Sequence, residues 1–268
     1  MSKTRLDLLL VERGLYESRA RAAAAVIAGD VLLLPGRQRA QKPGQMVGDD
    51  VEFEVSQALQ FVSRGGVKLA NALDHFGLEV AGALALDVGA STGGFTDCLL
   101  QRGAEHVVAL DVAYGELSWK LREDPRVTVL ERRNARAVSS ADLPYAPTVI
   151  VIDVSFISLA KVLPAVIACA APSRFDCLAM VKPQFEVGRD RIGKGGVVRE
   201  AGTRRHALLS VGSFAMETLG VAVCGYASSG LPGPKGNRET FLWLAEAGRA
   251  GALTGAQELQ AQALAVEP

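Results

Sequence analysis

From about residue 60 onward, short apolar runs alternate with segments of helical period, and this alternation constrains the fold more than any other feature. Such alternation is typical of a parallel sheet covered by helices on both faces. Strands are predicted near 83–87, 106–111, 127–131, 148–153, 175–181, 221–228 and 239–244, and helices near 66–76, 94–102, 115–122, 159–170 and 202–219. The predicted fold is therefore α/β and Rossmann-like, with a seven-stranded, mostly parallel sheet in a domain spanning 60–248.

Residues 1–59 have a different pattern and are interpreted as a separate, small α+β domain. Thr4 and Asp7 have the spacing of a capping box at the start of one helix. Ser18 can cap a second helix, and Gly29 is placed to end it. Short strands are predicted after that helix. The segment 249–268 is interpreted as a C-terminal tail with a short helix.

Charge is distributed unevenly although the formal net charge is zero. Residues 1–42 contain eight Lys/Arg against four Asp/Glu, and residues 174–205 contain the same numbers. Arg19 and Arg21 lie in the first turn of the second predicted helix, where cations are unfavourable unless an anion is near. These arginines therefore point weakly to phosphate binding, and a solvated charged surface is the alternative.

Other classes of protein find little support in the chain. The four cysteines (Cys98, Cys169, Cys177 and Cys224) form no Cys-x-x-Cys pair, which argues against a zinc site, an iron–sulfur site or a disulfide framework. We expect buried thiols in a reducing cytoplasm, and no metal. The apolar run from Val162 to Pro172 is shorter than the roughly 20 residues that span a bilayer, and no signal peptide is recognised. No membrane association is expected.

A glycine-rich loop follows the first predicted strand of the large domain and opens a helix. It reads Asp87-Val88-Gly89-Ala90-Ser91-Thr92-Gly93-Gly94-Phe95. The Gly-x-Gly-x-x-Gly spacing of a dinucleotide loop is absent. A carboxylate at Asp87 would repel a pyrophosphate but suits the ammonium group of a methionine moiety. The loop therefore favours S-adenosylmethionine over NAD, with a structural glycine turn as a third possibility.

Two further polar residues follow the next strands. Asp111 ends the second strand of the domain, where Rossmann folds place an acid that binds a ribose diol. Asn134 follows the third strand and is interpreted as a contact to the adenine edge, with a turn residue as the alternative.

The residues after the fourth strand indicate which atom would accept a methyl group. The chain has Asp153-Val154-Ser155-Phe156 where enzymes acting on an exocyclic amine have Asn/Asp-Pro-Pro-Tyr. None of the cysteines lies in a Pro-Cys or Thr-Cys context suited to attack at carbon. Both absences favour an oxygen acceptor.

A hydroxyl acceptor needs a base, and four charged residues lie at or near strand ends: Lys68, Asp153, Lys182 and Glu239. Burial and a second nearby lysine would disfavour the ammonium form of Lys182, which could then act as the base. Asp153 and Glu239 would orient the two lysines. Separate surface salt bridges are the alternative interpretation.

Several motifs resemble known families. Residues 1–59 resemble an S4 RNA-binding domain through Arg5-Leu6-Asp7, Ser18-Arg19-Ala20-Arg21-Ala22, Gly29-Asp30-Val31, Lys42-Pro43 and Gly48-Asp49-Asp50-Val51. The large domain resembles the TlyA family of rRNA 2′-O-methyltransferases, related to the FtsJ ribose methyltransferases. The motifs are Ser63-Arg64-Gly65-Gly66-x-Lys68-Leu69, the glycine-rich loop, Asp153-Val154-Ser155-Phe156-Ile157-Ser158, Val181-Lys182-Pro183-Gln184-Phe185-Glu186 and Gly236-Asn237-x-Glu239.

This resemblance implies S-adenosylmethionine as cofactor, a Lys-Asp-Lys-Glu catalytic tetrad on the four charged residues, and cytidine ribose methylation on the RNA of a ribosomal subunit. Members have been called haemolysins. A non-catalytic RNA-binding protein and a secreted toxin remain alternatives. The stretch 186–200 is predicted to be a mobile loop that closes over RNA. The predicted RNA contacts are Arg5, Arg19, Arg21, Arg64, Arg189, Arg191 and Lys194. The predicted cofactor contacts are the loop residues Asp87, Gly89, Ala90, Ser91, Gly93, Gly94 and Phe95, together with Asp111, Asn134 and Asp153.

Overall fold

The structure is a computed structural model that describes residues 3–16, 18–55, 60–188, 191–233 and 235–267. The chain divides into two units, Met1–Gln60 and Phe61–Pro268. Each unit has its own apolar core.

Among its described residues, the first unit contains two helices and five short strands. In chain order these are β1 (Lys3–Arg5), α1 (Leu6–Glu12), α2 (Arg19–Ala28), β2 (Val31–Leu33), β3 (Gln38–Arg39), β4 (Met46–Gly48) and β5 (Phe53–Val55). Strands β1 and β4 form one antiparallel pair, and β3, β2 and β5 form an antiparallel sheet in that order. The helices bury Leu6, Leu10, Ala22 and Val26 against one another and against Val31.

The observed ends of α1 and α2 agree only in part with the ends predicted from the sequence. The Ser18 hydroxyl accepts a hydrogen bond from the Arg21 amide, and Gly29 ends α2 with φ +82°, as predicted. The predicted capping box at Thr4 is wrong, because the Thr4 hydroxyl donates to Asp49 Oδ1 at 2.7 Å. The carboxylate of Asp7 binds arginine side chains instead of capping α1.

The second unit contains a central sheet with helices on both faces. Its elements are α3 (Arg64–Phe76), β6 (Leu84–Val88), α4 (Gly94–Gln101), β7 (His106–Leu110), α5 (Trp119–Arg122), β8 (Val127–Leu130), β9 (Val149–Ile152), α6 (Leu163–Ile167), β10 (Asp176–Val181), α7 (Pro183–Glu186), α8 (Ala201–Ser213), β11 (Ala222–Ser228), β12 (Thr240–Ala245) and α9 (Ala256–Val266).

The sheet has seven strands in the order β11–β12–β10–β9–β6–β7–β8. All neighbouring pairs from β10 to β8 are parallel, whereas β12 is antiparallel to both β10 and β11. The predicted α/β class, the seven strands and the mostly parallel sheet are confirmed. Because β12 runs the other way, its first residue lies at the edge where the parallel strands end.

Two predicted helices are shorter than expected. Gly115 has φ +77°, which is outside the helical region, and α5 begins only after Ser118. In the predicted helix 159–170, a short 3₁₀ turn at Leu159–Lys161 precedes α6. Pro164 lies at the start of α6, because proline lacks an N–H and clashes with the carbonyl four residues earlier.

Both faces of the sheet are buried under helices. Helices α3, α4 and α5 cover one face with Leu69, Leu73, Leu99 and Leu121, and helices α6, α8 and α9 cover the other with Leu163, Leu208 and Leu259. Each such side chain stabilises the fold by about 1.5–3 kcal/mol relative to leaving it exposed. Helix α9 lies in the segment predicted as a tail, and it completes the core of the second unit. Within the described ranges, the helices fall short of the length and apolarity that crossing a bilayer requires.

Candidate active site

The loop after β6 passes very close to the loop after β9. Gly89 has φ +87°, and a Cβ placed there would lie 2.6 Å from the Asp153 carbonyl oxygen. Only glycine allows this approach, because any side chain would clash with backbone. The carboxyl ends of two neighbouring strands are therefore held together at the centre of the sheet edge.

The other glycines of this loop pack against protein atoms. A Cβ at Gly93 would lie 2.3 Å from Leu121 Cδ1, and one at Gly94 would lie 2.2 Å from the Ser63 hydroxyl. Because these two glycines lack a side chain, the start of α4 can pack closely against α5 and against Ser63, the residue that caps α3. Their visible role is close packing between helices.

Asp87 lies beneath the loop and is fully buried. Its Oδ2 accepts a hydrogen bond from the Thr96 hydroxyl at 2.7 Å, and its Oδ1 finds no hydrogen-bond partner among the described residues. Burial raises the pKa of this carboxyl to about 7. Asp87 lines none of the neighbouring cavities, so direct contact with a ligand would require the loop to move.

A cavity of about 520 Å³ opens at the carboxyl ends of β6 to β9 and is called here the cofactor cavity. Its volume is in the range of small-molecule sites, about 300–1,000 Å³. Of the predicted cofactor contacts it is lined by Gly89, Ser91, Asp111, Asn134 and Asp153. Ala90, Gly94 and Phe95 line the adjoining cavity, and Gly93, like Asp87, lines neither.

The polar groups of the cofactor cavity are fixed by the backbone. Asp111 accepts hydrogen bonds from the amides of Ser91 (2.7 Å) and Ala113 (2.8 Å). Asn134 Oδ1 accepts from the Arg136 amide at 3.0 Å and caps a 3₁₀ turn. The carboxylate of Asp111 is thereby held at the rim, and the turn interpretation of Asn134 holds alongside its place in the cavity wall.

An adjoining cavity of about 290 Å³, the catalytic cavity, brings together the four charged residues that the sequence singled out. Lys68 and Glu239 form an ion pair, and Lys182 Nζ lies 2.5 Å from Asp153 Oδ1. Lys68, Lys182 and Glu239 are each buried. The structure thus arranges the set as two lysine–carboxylate pairs, each lysine facing one carboxylate.

Lys182 has a second partner that the sequence did not single out. Its Nζ donates to the Ser155 hydroxyl at 3.0 Å. Ser155 lies two residues beyond Asp153. It lines the cofactor cavity, the catalytic cavity and a third cavity beside them. An ammonium group has three N–H donors, so Lys182 keeps one for a further oxygen. The signal in the sequence was the position of Ser155 in the strand-end loop.

A third cavity of about 470 Å³, the acceptor cavity, is also lined by Lys182 and Glu239. Phe156 stands at its mouth, 91% exposed and with φ +65°, and its ring centroid lies 5.2 Å from that of Phe185. Glu186 accepts hydrogen bonds from the Ser158 hydroxyl (2.7 Å) and the Leu159 amide (2.8 Å), which ties the loop after β9 to α7. Burial raises the pKa of Glu186. An exposed aromatic side chain in a left-handed conformation is uncommon, which makes Phe156 a candidate for a functional role.

The predicted RNA contacts lie in different places. In the first unit, Arg5 and Arg19 both bind the buried carboxylate of Asp7, at 2.9 Å and 3.1 Å. The hydrogen bond from Arg5, with further contributions from Arg19, lowers the pKa of Asp7 to about 2. Arg21 is exposed, Arg64 lines the catalytic cavity, Arg191 and Lys194 are exposed, and Arg189 lies outside the described residues. Because it lies in the first turn of a helix, Arg19 was expected from the sequence to be favoured by a nearby anion. The structure shows such an anion within the unit, the carboxylate of Asp7.

A doubly wound sheet with cavities outside the carboxyl ends of its strands defines an α/β protein of the Rossmann type with a small-molecule site. The family model of FtsJ-like methyltransferases matches residues 61–246. The 16S/23S rRNA (cytidine-2′-O)-methyltransferase TlyA of Mycobacterium tuberculosis is 49% identical over 90% of this chain and 90% of its own. Hemolysin A of Brachyspira hyodysenteriae is 37% identical over 88% of this chain and 97% of its own.

A solved structure shares the fold of this chain over nearly its whole length. A protein from Streptococcus thermophilus, named as a candidate hemolysin, superposes with a TM-score of 0.73 at 40% identity, covering 99% of this chain and 97% of that one. The chain therefore belongs to the FtsJ-like methyltransferase family, within the group that includes the TlyA proteins. The prediction of a methyltransferase in place of a dinucleotide-binding enzyme is confirmed.

Proposed function

We propose that this protein transfers a methyl group from S-adenosylmethionine to the 2′-hydroxyl of a ribose in ribosomal RNA, with cytidine as the acceptor nucleoside. The family supplies the reaction class, and the TlyA relative supplies the nucleic acid and the nucleoside by its name. A ribosomal substrate would place the enzyme in the cytoplasm.

The observation that carries the proposal is the pair of lysine–carboxylate contacts in one cavity. Lys68 with Glu239 and Lys182 with Asp153 line the catalytic cavity, which adjoins the cofactor cavity at Gly89 and Asp153. The same Lys182 and Glu239 also line the acceptor cavity. Charged groups at a junction between two ligand cavities are suited to transferring a group from one ligand to the other.

The cofactor cavity suits S-adenosylmethionine. The carboxylate of Asp111 lies where a ribose diol can donate to it, and the adjoining apolar side chains of Val112, Ile157 and Val162 offer a surface for a base. Asp153 brings a second carboxylate to the side of the catalytic cavity, where a cationic group is favoured. When bound, the cofactor supplies an electrophilic methyl group.

Lys182 is the proposed general base. In its neutral form it would take the proton of the 2′-hydroxyl as that oxygen accepts the methyl group that the bound cofactor would supply. Asp153 then stabilises the ammonium group that results, as a carboxylate stabilises the protonated base of a hydrolase triad. Lys182 is assigned this role in preference to Lys68 because it borders both the catalytic and the acceptor cavity.

Phe156 is proposed to hold the acceptor nucleotide. Its exposed ring stands at the mouth of the acceptor cavity beside Phe185. Stacking of a base on an aromatic side chain contributes about 1–3 kcal/mol. A base held there would bring its ribose toward Lys182, which lines the same cavity.

The first unit is proposed to be an RNA-binding module of the S4 type. Its support is the resemblance of its motifs and the pair of arginines that Asp7 holds side by side, each side chain about half exposed (50% for Arg5 and 55% for Arg19). Preorganised guanidinium groups bind phosphate oxygens well, because less side-chain freedom is lost on binding.

The test is methyl transfer in vitro. Purified protein, isotope-labelled S-adenosylmethionine and ribosomal subunits from cells that lack the modification are incubated together, and the RNA is digested to nucleosides. The expected product is 2′-O-methylcytidine. Label on a base, or no label on either subunit with cofactor binding intact, would contradict the proposal, and the second result would favour a non-catalytic RNA-binding protein.

A further inference from the structure

Part of the wall of the acceptor cavity is formed by a glycine-rich turn, residues 191–198, called here the loop wall. Ile192 and Gly196 of the loop wall line the cavity together with Lys182 and Glu239. Within it, the Gly193 amide donates to the Val197 carbonyl at 3.1 Å, and the Gly196 amide donates to the Gly193 carbonyl at 3.0 Å. These bonds close the turn on itself but do not attach it to the sheet.

Asn237 attaches the loop wall to the catalytic edge. Its side-chain Oδ1 accepts from the Val198 amide at 2.9 Å, and its Nδ2 donates to the Gly196 carbonyl at 2.8 Å. The orientation of the carboxamide is fixed by these partners, because a rotated amide would place oxygen against oxygen. Asn237 is 3% exposed and lies two residues before Glu239.

A second buried group holds the same end of the loop wall. Arg204 on α8 donates to the Val198 carbonyl at 3.3 Å and forms an ion pair with Glu267 at 2.8 Å. Both side chains are buried, at 7% and 3% exposure. Val198 is thereby bonded through its amide to Asn237 and through its carbonyl to Arg204, which makes it the fixed end of an otherwise self-contained turn.

We infer that Asn237 is a positioning residue: its carboxamide holds the loop wall beside Glu239 and so shapes the acceptor cavity for the incoming nucleotide. The inference rests on the proposed function, because it assigns the cavity to the acceptor. It assigns Asn237 no contact with the reacting atoms, and Asn237 does not line the cofactor cavity. Loss of the carboxamide should therefore affect the RNA substrate and leave the cofactor site unchanged.

Two variants test the inference. Asn237→Asp keeps the acceptor for Val198 but places an oxygen against the Gly196 carbonyl, and Asn237→Ser removes the amide without adding charge. The matched control is Asn71→Asp, since Asn71 Nδ2 also donates to a loop carbonyl, that of Ser229 at 3.0 Å, but Asn71 does not line the acceptor cavity. Amide hydrogen exchange over 191–199, calorimetric binding of S-adenosylmethionine and steady-state methyl transfer to ribosomal subunits are measured for all four proteins.

In the wild type, the Val198 amide should be protected from exchange. In both Asn237 variants, exchange over 193–198 should become faster and kcat/KM for RNA should fall by about tenfold or more, the effect of leaving buried hydrogen-bonding groups unpaired. The Kd for S-adenosylmethionine should stay within about twofold of the wild-type value, a change that is small on this scale. The control should match the wild type in exchange over this segment and in turnover.

Three results would overturn the inference: an unprotected Val198 amide in the wild type, unchanged exchange or turnover in both variants, or a parallel loss of cofactor binding. The exchange measurement needs no substrate and, for the wild type, no variant. It therefore fails or succeeds separately from the proposed function, which is judged by wild-type methyl transfer alone.

Discussion

Lys68 and Glu239, which are 171 positions apart in the chain, form a buried ion pair that joins helix α3 to the start of strand β12. The pair lies beside the Lys182–Asp153 contact in the catalytic cavity. Each buried lysine faces a carboxylate, which offsets the cost of burying charged groups. The two pairs therefore depend on the whole sheet being assembled.

Removal of one member of the Lys68–Glu239 pair should destabilise the second unit. Lys68→Met leaves the Glu239 carboxylate buried without its partner, which costs about 3–5 kcal/mol in comparable cases. The double variant Lys68→Met/Glu239→Gln should recover part of this loss, since no buried charge is left unpaired. Urea unfolding of the wild type, the single variants Lys68→Met and Glu239→Gln, and the double variant measures the coupling between the two side chains. Arg102→Met is the control, because its ion pair with Asp74 is partly exposed (30% for Arg102 and 67% for Asp74) and should contribute less than about 1 kcal/mol.

Lys182→Ala should lower kcat for methyl transfer by about 100-fold to 10,000-fold, the usual contribution of a general base. Cofactor affinity should remain close to that of the wild type, because Lys182 does not line the cofactor cavity. Lys161→Ala, which removes an exposed lysine on a 3₁₀ turn, is the matched control. Single-turnover rates and calorimetry separate the two effects, and equal losses in both would contradict the assignment of the base.

Asp87→Asn should change how stability depends on pH. Burial raises the pKa of Asp87 to about 7 from 3.8, so the folded wild type binds a proton more tightly than the unfolded chain. This contribution to stability is present below pH 3.8 and is lost as the pH rises through about 7. Between these limits the free energy of unfolding of the wild type should fall relative to the variant by up to about 1.4 kcal/mol per pH unit.

Asparagine keeps an acceptor for the Thr96 hydroxyl, which makes Asp87→Asn a conservative test. Urea unfolding at four pH values between 4 and 7.5 gives the difference between the two proteins. Parallel curves would show that the Asp87 carboxyl titrates normally in the folded state.

Phe156→Gly should separate stability from activity. The left-handed conformation at φ +65° disfavours a residue with a Cβ by roughly 1–2 kcal/mol, and the ring is 91% exposed, so glycine should leave the melting temperature unchanged or raise it. Methyl transfer should nevertheless fall by about tenfold or more, because base stacking is lost. Phe156→Tyr keeps the ring and should retain most of the activity. A Phe156→Gly enzyme with wild-type turnover would exclude the stacking role.

Arg19→Ala should weaken RNA binding in a salt-dependent manner. If Arg19 neutralises one phosphate, the slope of log affinity against log salt concentration should decrease by about one. The control Arg126→Ala removes a guanidinium of similar exposure (48% against 55%) that is also paired with an aspartate, but in the second unit. Filter binding of ribosomal RNA at several salt concentrations gives both slopes, and identical slopes would remove Arg19 from the RNA contacts.

The strands of the second unit could be predicted to within one or two residues because each is a continuous apolar run that ends at a charged or small residue. Helices were harder: Gly115 adopts a left-handed conformation and Pro164 lacks a backbone N–H, and the periodic pattern continues through both positions. Capping at Thr4 failed because Asp7 had stronger partners in Arg5 and Arg19.

The candidate site, too, could be predicted from the sequence only in part. Position at strand ends was enough to group Asp153 and Lys182, since parallel strands end at one edge. Which lysine faces which carboxylate could not be predicted, because it depends on the tilt of α3 and on the reversed direction of β12. Asp87 was expected to face a ligand, and only packing reveals that it lies under the loop.

The reversed direction of β12 also bears on how this enzyme can tolerate insertions and deletions. Asp111, Asp153 and Lys182 directly follow the parallel strands β7, β9 and β10, so added length before any of these strands can be absorbed in the preceding connection. Glu239 comes immediately before β12, whose pairing with Val181 begins at Thr240. A one-residue slip of that strand would turn every one of its side chains to the opposite face of the sheet. The hairpin between β11 and β12 should therefore accept changes of length only where they leave this first pair in place, whereas connections on the opposite edge of the sheet are free to vary.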